Sequence, residues 1–127
     1  MKELLEGKKI LYVEDETELA KMVSDELTDY GAVVTCVEEV SLATEHLAGT
    51  KFDLIIADYL LKDGTGDTFV NDVKTEGGKL YQEAPIIFTS AFVGKELMDE
   101  LEGKVAGMLV KPHTMGRLLD KIREVLS

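Results

Sequence analysis

The segment Leu54-Ile55-Ile56-Ala57-Asp58 (LIIAD) is an apolar run that ends on a carboxylate. Residues 10–13, 86–88 and 108–110 are apolar runs of the same kind, each followed closely by polar residues. Continuous apolar runs are typical of strands that helices cover on both faces of a parallel sheet. Because residues just past the carboxyl ends of such strands converge on one crevice, these runs predict a shared site. Its candidate residues are Glu14, Asp15, Asp58, Ser90 and Lys111.

Apolar runs alternate five times with amphipathic stretches, which predicts a doubly wound α/β fold with a five-stranded parallel sheet and five helices. Thr35 interrupts the second run, residues 33–37, and this favours an edge position and the flavodoxin-like strand order 2-1-3-4-5. The first helix is predicted to begin at residues 16–17 and to stop at Gly31. The last helix has apolar residues at helical spacing, and Thr114 is its predicted N-cap.

The remaining helices are predicted from shorter patterns. We expect the second helix from about Ser41 to Gly49, the third around residues 69–73 with an end at residues 77–78, and the fourth around residues 97–101. Residues 62–66 (KDGTG) have the composition of a turn.

Size and charge argue against several classes of function. The 127 residues suit one domain, so we expect residues 1–127 to form a single unit. A net charge of -11 disfavours a nucleic-acid partner, which needs clustered Lys and Arg. No apolar stretch approaches the roughly 20 residues of a spanning helix, and the amino terminus lacks the apolar core of a secretory signal. We therefore expect no membrane insertion and a cytoplasmic location.

The apolar neighbours of Cys36, the one cysteine, predict a small buried side chain.

The predicted cluster of Glu14, Asp15 and Asp58 requires a cation. At about 4 Å and an effective dielectric near 20, each close pair of carboxylates repels by roughly 4 kcal/mol. Hard oxygen ligands suit Mg²⁺, or Mn²⁺ in its place. We expect Asp15 and Asp58 to bind the metal through their side chains and Glu14 to act through water.

A carboxylate beside a metal can attack a phosphoryl donor in line and become an acyl phosphate. Asp58 is the candidate nucleophile. Lys111 would offer a positive charge to a phosphoryl oxygen, and the Ser90 hydroxyl would donate a hydrogen bond to the group once it arrives.

The combination of Glu14-Asp15, Asp58, Ser90-Ala91 and Lys111-Pro112 resembles the receiver domain of two-component response regulators, in particular stand-alone receivers of the chemotaxis type. The resemblance covers essentially the whole chain. Each motif is weak alone, but their order and spacing across five strands are specific.

This resemblance implies roles for single residues and for partners. Asp58 would be the phosphoacceptor, and Asp15 and Asp58 would bind Mg²⁺ together with the backbone carbonyl of Leu60. Ser90 would be the hydroxyl switch, and Lys111 would contact the phosphoryl group. The implied phosphodonor is a histidine kinase or a histidine phosphotransfer protein, and the output passes to a downstream protein that the sequence does not name.

The chain also departs from the family pattern. Gly66, eight residues after the acceptor, lies where the family favours glycine, but Lys62 replaces the usual proline. Met108 and His113 replace common aromatic residues, so switching by an inward-moving ring is not carried over. An apolar residue lies two positions after Asp58 and another two positions after Ser90. We expect these residues, Leu60 and Phe92, to hinder an attacking water and to lengthen the life of the phosphoryl group.

Two further classes of function remain open from the sequence. Lys62 and Met108 favour a receiver-like interaction scaffold that has lost phosphorylation-dependent switching. An aspartate-nucleophile phosphohydrolase is the enzyme alternative, although such enzymes typically place a second aspartate where Leu60 stands. We expect a phosphoacceptor signalling protein rather than an enzyme, one that can catalyse its own phosphorylation and slow dephosphorylation.

Overall fold

A five-stranded parallel sheet lies between two layers of helices in the computed structural model, which describes residues 1–92 and 94–127. The helices are α1 (Lys2–Leu5), α2 (Thr17–Asp29), α3 (Val40–Gly49), α4 (Gly66–Val73), α5 (Lys95–Leu101) and α6 (Met115–Leu126). The strands are β1 (Lys9–Val13), β2 (Val33–Val37), β3 (Leu54–Asp58), β4 (Leu60–Leu61), β5 (Gly64–Thr65), β6 (Ile86–Ser90) and β7 (Gly107–Val110).

The large sheet has the strand order β2-β1-β3-β6-β7, with all neighbours parallel. This is the predicted order 2-1-3-4-5 once the short β4 and β5 are set aside, so the doubly wound fold is confirmed. β3 and β6 are buried along their whole length because helices cover both faces, which explains their apolar composition. β2 and β7 are the edges, and both expose part of their length.

Two apolar clusters form the core, one on each face of the sheet. The first packs α3, α4 and α5 against the sheet, and the second packs α1, α2 and α6 against the other face. The start of α2 after Glu16 agrees with the sequence prediction. The cap of α6 does too, because the Thr114 side chain accepts a hydrogen bond from the Arg117 backbone N–H at 3.1 Å.

Three expectations are corrected. The described part of the chain has six helices rather than five, because the four-residue α1, which buries Leu5, is too short to show helical periodicity. Cys36 is exposed, not buried, since it lies on the edge strand β2, where apolar neighbours do not guarantee burial. The third predicted helix, α4, ends at Val73, before the expected stop at residues 77–78. Within residues 1–92 and 94–127, no helix combines the length and apolar character needed to cross a bilayer.

Candidate functional site

The polar residues that follow the central strands meet at one crevice, at the carboxyl edge of the sheet. Glu14 follows β1, Asp58 ends β3, Ser90 ends β6 and Lys111 follows β7. The crevice has a volume of about 980 Å³, and its lining includes Asp15, Asp58, Ser90 and Lys111. The structure therefore brings together the residues that the strand ends predict. Glu14 is buried and accepts a hydrogen bond from Lys111.

Strand alternation explains which side chains share a face. Four residues of the second core cluster lie on neighbouring strands: Tyr12, Ile56, Ile87 and Leu109. Side chains two positions apart in a strand point to the same face, so the next set at the strand ends turns the same way. This set is Glu14, Asp58, Thr89 and Lys111. The core pattern of the strands thus aims three charged groups and one hydroxyl at the same space.

Lys111 bridges the two buried acids of the site. Its Nζ lies 2.8 Å from Glu14 Oε1 and 3.1 Å from Asp58 Oδ2, and 3.6 Å from the more exposed Glu16 Oε2. Burial raises the pKa of Glu14, and the hydrogen bond from Lys111 offsets only part of that rise. Burial by itself lowers the pKa of Lys111, but the hydrogen bonds and charges of Glu14 and Asp58 outweigh it, so the pKa is raised overall. The lysine therefore stays charged at neutral pH and compensates the acids.

The acidic cluster fits a hard cation. Glu14, Asp15 and Asp58 each offer one carboxylate oxygen, and these oxygens lie within 4.8 Å of one another. A ligand set made only of oxygen is the kind that Mg²⁺ prefers. The contribution of the Leu60 backbone carbonyl stays a prediction.

Two adjacent hydroxyls at the end of β6 have different partners. The Ser90 hydroxyl lies in a local turn, where it donates to the Phe92 carbonyl at 2.6 Å and accepts from the Phe92 N–H at 2.9 Å. The Thr89 hydroxyl instead donates to Asp58 Oδ1 at 3.3 Å. The sequence interpretation missed Thr89, although the alternation of side chains along β6 would have placed it on the face of Asp58.

The lining of the crevice includes two exposed apolar side chains. Leu60, two residues after Asp58, is 64% exposed, and Phe92, two residues after Ser90, is 60% exposed. Tyr59 stacks on Phe92 with ring centroids 6.2 Å apart and an angle of 19° between the rings. It also meets Phe88 edge to face at 6.2 Å. An exposed aromatic and an exposed leucine therefore line the same crevice as Asp58.

Of residues 62–66, predicted as a turn, only residues 62–63 form one, between the short antiparallel strands β4 and β5. Residues 64–65 belong to β5 and Gly66 begins α4. The Asp63 carboxylate accepts hydrogen bonds from the backbone N–H groups of Val40 at 2.7 Å and Ser41 at 3.0 Å, at the start of α3. The Lys62 ammonium pairs with Glu38 at 2.5 Å. Where the family usually has proline, this chain thus uses polar contacts to hold the loop that follows the acceptor.

The two residues that depart from the family pattern around β7 have different contacts. Met108 is partly buried and packs against the first core cluster. The His113 ring nitrogen Nδ1 lies 3.2 Å from the Thr114 carbonyl oxygen. The Lys111-Pro112 peptide bond is cis.

Comparison with known proteins gives a consistent result. Residues 10–123 match the family described as the response regulator receiver domain. Response regulator RppA of Synechocystis is 32% identical over 120 residues, which cover 91% of this chain and 49% of that protein. The phosphate regulon regulator PhoB of Escherichia coli K12 is 28% identical over 123 residues, covering 94% of this chain and 52% of that protein. This chain therefore spans about half the length of the curated relatives it matches.

Solved structures agree with the fold. The chemotaxis response regulator CheY4 of Vibrio cholerae is 30% identical, with a TM-score of 0.83, and the match covers 94% of this chain and 99% of that one. The non-phosphorylated HemR receiver domain of Leptospira biflexa is 27% identical, with a TM-score of 0.82 and 94% of each chain covered.

Proposed function

Because the chain belongs to the response regulator receiver domain family, we propose that Asp58 accepts a phosphoryl group within a two-component phosphorelay. The donor is a histidine kinase or a histidine phosphotransfer protein. The observation that carries this proposal is the contact of Lys111 with both Asp58 and Glu14 in a crevice that also holds Asp15. A nucleophile, a cation and spare carboxylates for a metal then lie together.

Mg²⁺ is the cofactor that suits these residues, and Mn²⁺ can replace it. Asp15 and Asp58 would bind the ion directly, together with the backbone carbonyl of Leu60, and Glu14 would act through water. When bound, the ion neutralises oxygens of the incoming phosphoryl group. The distance of 4.8 Å or less between the three carboxylate oxygens supports this assignment.

The transfer itself uses few protein groups. An oxygen of Asp58 forms a bond to phosphorus while the bond between phosphorus and the donor's leaving group breaks, and the leaving group keeps the electron pair. Lys111, now 3.1 Å from Asp58 Oδ2, supplies positive charge to a phosphoryl oxygen. Ser90 exchanges its contact with the Phe92 carbonyl for a phosphoryl oxygen, which would couple the chemistry to the loop after β6.

The output is a change in affinity for a downstream protein. The net charge of -11 supports a protein partner over direct contact of this segment with nucleic acid. The identity of that partner, the single-domain organisation and the cytoplasmic location stay predictions.

The direct test is intact mass after incubation with Mg²⁺ and acetyl phosphate. We expect the parent protein to gain one phosphoryl group, and we expect no gain for Asp58→Asn or in the presence of a chelator. A second donor, a histidine phosphotransfer protein carrying phosphate, covers the case of a receiver that discriminates against small donors. If neither donor phosphorylates the parent, the proposal is wrong and the interaction scaffold is the better reading.

A further inference from the structure

The two oxygens of the Asp58 carboxylate have different hydrogen-bond donors. Lys111 Nζ lies 3.1 Å from Oδ2, and the Thr89 hydroxyl donates to Oδ1 at 3.3 Å. Thr89 is directly opposite Asp58 in the register of β3 and β6, and it is only 2% exposed. The hydroxyl is therefore fixed by the sheet and is protected from competing water, unlike a surface threonine.

From this contact we propose that Thr89 destabilises the phosphorylated form of Asp58 relative to the free carboxylate, and so shortens the lifetime of the phosphoryl group. The inference rests on the proposed function, because it presupposes that Asp58 is the acceptor. It concerns a residue distinct from Ser90, whose hydroxyl is held by Phe92 on the other side of the strand.

The direction of the effect follows from charge. Hydrogen bonds to an ionised acceptor are roughly twice as strong as those between neutral groups. The free Asp58 carboxylate is the ionised acceptor, whereas in the acyl phosphate one of its oxygens is bonded to phosphorus and the other is a neutral carbonyl oxygen. Thr89 therefore stabilises the free carboxylate more than the acyl phosphate. The sign is the same whichever oxygen carries the phosphoryl group.

The same argument applies to the rate of hydrolysis. The oxygen of a water molecule forms a bond to phosphorus while the bond from phosphorus to the Asp58 oxygen breaks. The electron pair of the broken bond returns to the carboxylate, and the protons of the water go to the released phosphate and to solvent. Phosphoryl transfer has a loose transition state, in which much of this negative charge has already developed on the leaving carboxylate. The Thr89 hydroxyl thus lowers the barrier to hydrolysis.

The test compares hydroxyl-free and hydroxyl-bearing variants at position 89. Thr89→Val keeps the branched shape but removes the donor, Thr89→Ala is a second donor-free variant in case valine disturbs β6, and Thr89→Ser keeps the donor. Each protein is phosphorylated with acetyl phosphate at saturating Mg²⁺ and desalted, and the decay of the phosphorylated form is followed by intact mass. Urea unfolding and Mg²⁺ titration of each variant check that the fold and the metal site are retained.

We expect Thr89→Val and Thr89→Ala to hydrolyse about three- to tenfold more slowly, with tenfold corresponding to about 1.4 kcal/mol. The fraction phosphorylated at a fixed acetyl phosphate concentration rises in the same variants, and Thr89→Ser stays close to the parent. Parental decay rates in both donor-free variants, with the parent phosphorylated, overturn this inference alone. Equal slowing in Thr89→Ser also overturns it, since the serine retains the hydroxyl. A parent that gains no phosphoryl group from either donor overturns the proposed function and this inference together.

Discussion

Replacement of Gly66 by alanine tests the contact between the start of α4 and the acceptor strand. A β-carbon at this position would lie 2.1 Å from the Asp58 carbonyl oxygen and 2.9 Å from both the Asp58 carbonyl carbon and Phe88 Cε1. Two of these three atoms belong to the backbone, so no side-chain rotation relieves the overlap. Either α4 or the end of β3 has to move, and we expect the 2.7 Å hydrogen bond from the Gly66 N–H to the Tyr59 carbonyl to be lost as a result.

The expected cost of Gly66→Ala combines two effects. Overpacking in a well-packed region costs about 1–3 kcal/mol. Loss of a hydrogen bond adds about 0.5–1.5 kcal/mol. We therefore expect the free energy of unfolding to fall by roughly 2–4 kcal/mol, which for a slope of about 2 kcal/mol/M lowers the urea midpoint by about 1–2 M.

Gly49→Ala is the matched control, because a β-carbon there meets no atom within 4 Å and Gly49 is the last residue of α3. Since alanine favours helix over glycine by up to about 1 kcal/mol, this variant should be as stable as the parent or slightly more stable. Urea unfolding followed by circular dichroism measures both. A Gly66→Ala midpoint within the error of the parent would refute the argument from close packing.

Three further predictions concern the site and its loop. Saturating Mg²⁺ should stabilise the parent in thermal unfolding, by about 2.7 kcal/mol at one hundred times the dissociation constant, and a similar gain in Asp15→Asn would contradict the assigned ligand. The variant Leu60→Asn, Phe92→Glu should lose its phosphoryl group faster than the parent, and equal decay measured by intact mass would show that these side chains do not hinder water. Hydrogen bonds from the backbone of Ser41 and Val40 lower the pKa of Asp63 below its ordinary 3.8. The stability that Asp63 contributes is therefore complete above pH 3.8 and is lost as the pH falls through the lowered pKa. The urea midpoint of Asp63→Ala should lie below that of the parent at pH 7 and approach the parent's midpoint in acid. Equal midpoints at pH 7 would contradict this prediction.

The sheet and the meeting of its polar residues followed from the sequence because both depend on local patterns. Continuous apolar runs identify the strands, and the rule that carboxyl ends share one edge predicts that Asp58 and Lys111 lie together. The same rule works for any side chain at a strand end. It gives proximity, but not the partner of each individual atom.

The features that the sequence did not predict depend on contacts between distant segments. The exposure of Cys36 depends on β2 being an edge strand. Apolar neighbours in sequence do not show whether a strand has a neighbouring strand on one side or on both. The anchoring of residues 62–63 depends on Glu38 and the start of α3, more than 20 residues away in the chain. Thr89 was overlooked because it stands at the end of an apolar run and beside a second hydroxyl that the family resemblance already assigned.

We expect two features of this chain to act in opposite directions on the lifetime of a phosphoryl group on Asp58. Leu60 and Phe92 are exposed residues of the crevice lining and would act on the attacking water, whereas the buried Thr89 donates to the Asp58 carboxylate and would act on the group that leaves. We expect the first feature to lengthen the lifetime by restricting access of water, and the second to shorten it by stabilising the charge that returns to the carboxylate. Because the two features would act on different atoms of one reaction, we expect that Leu60 and Phe92 can be replaced without changing the hydrogen bond from Thr89 to Asp58. If both predictions hold, substitutions at the exposed positions 60 and 92 would change the decay rate while the buried hydrogen bond from Thr89 to Asp58 stays the same.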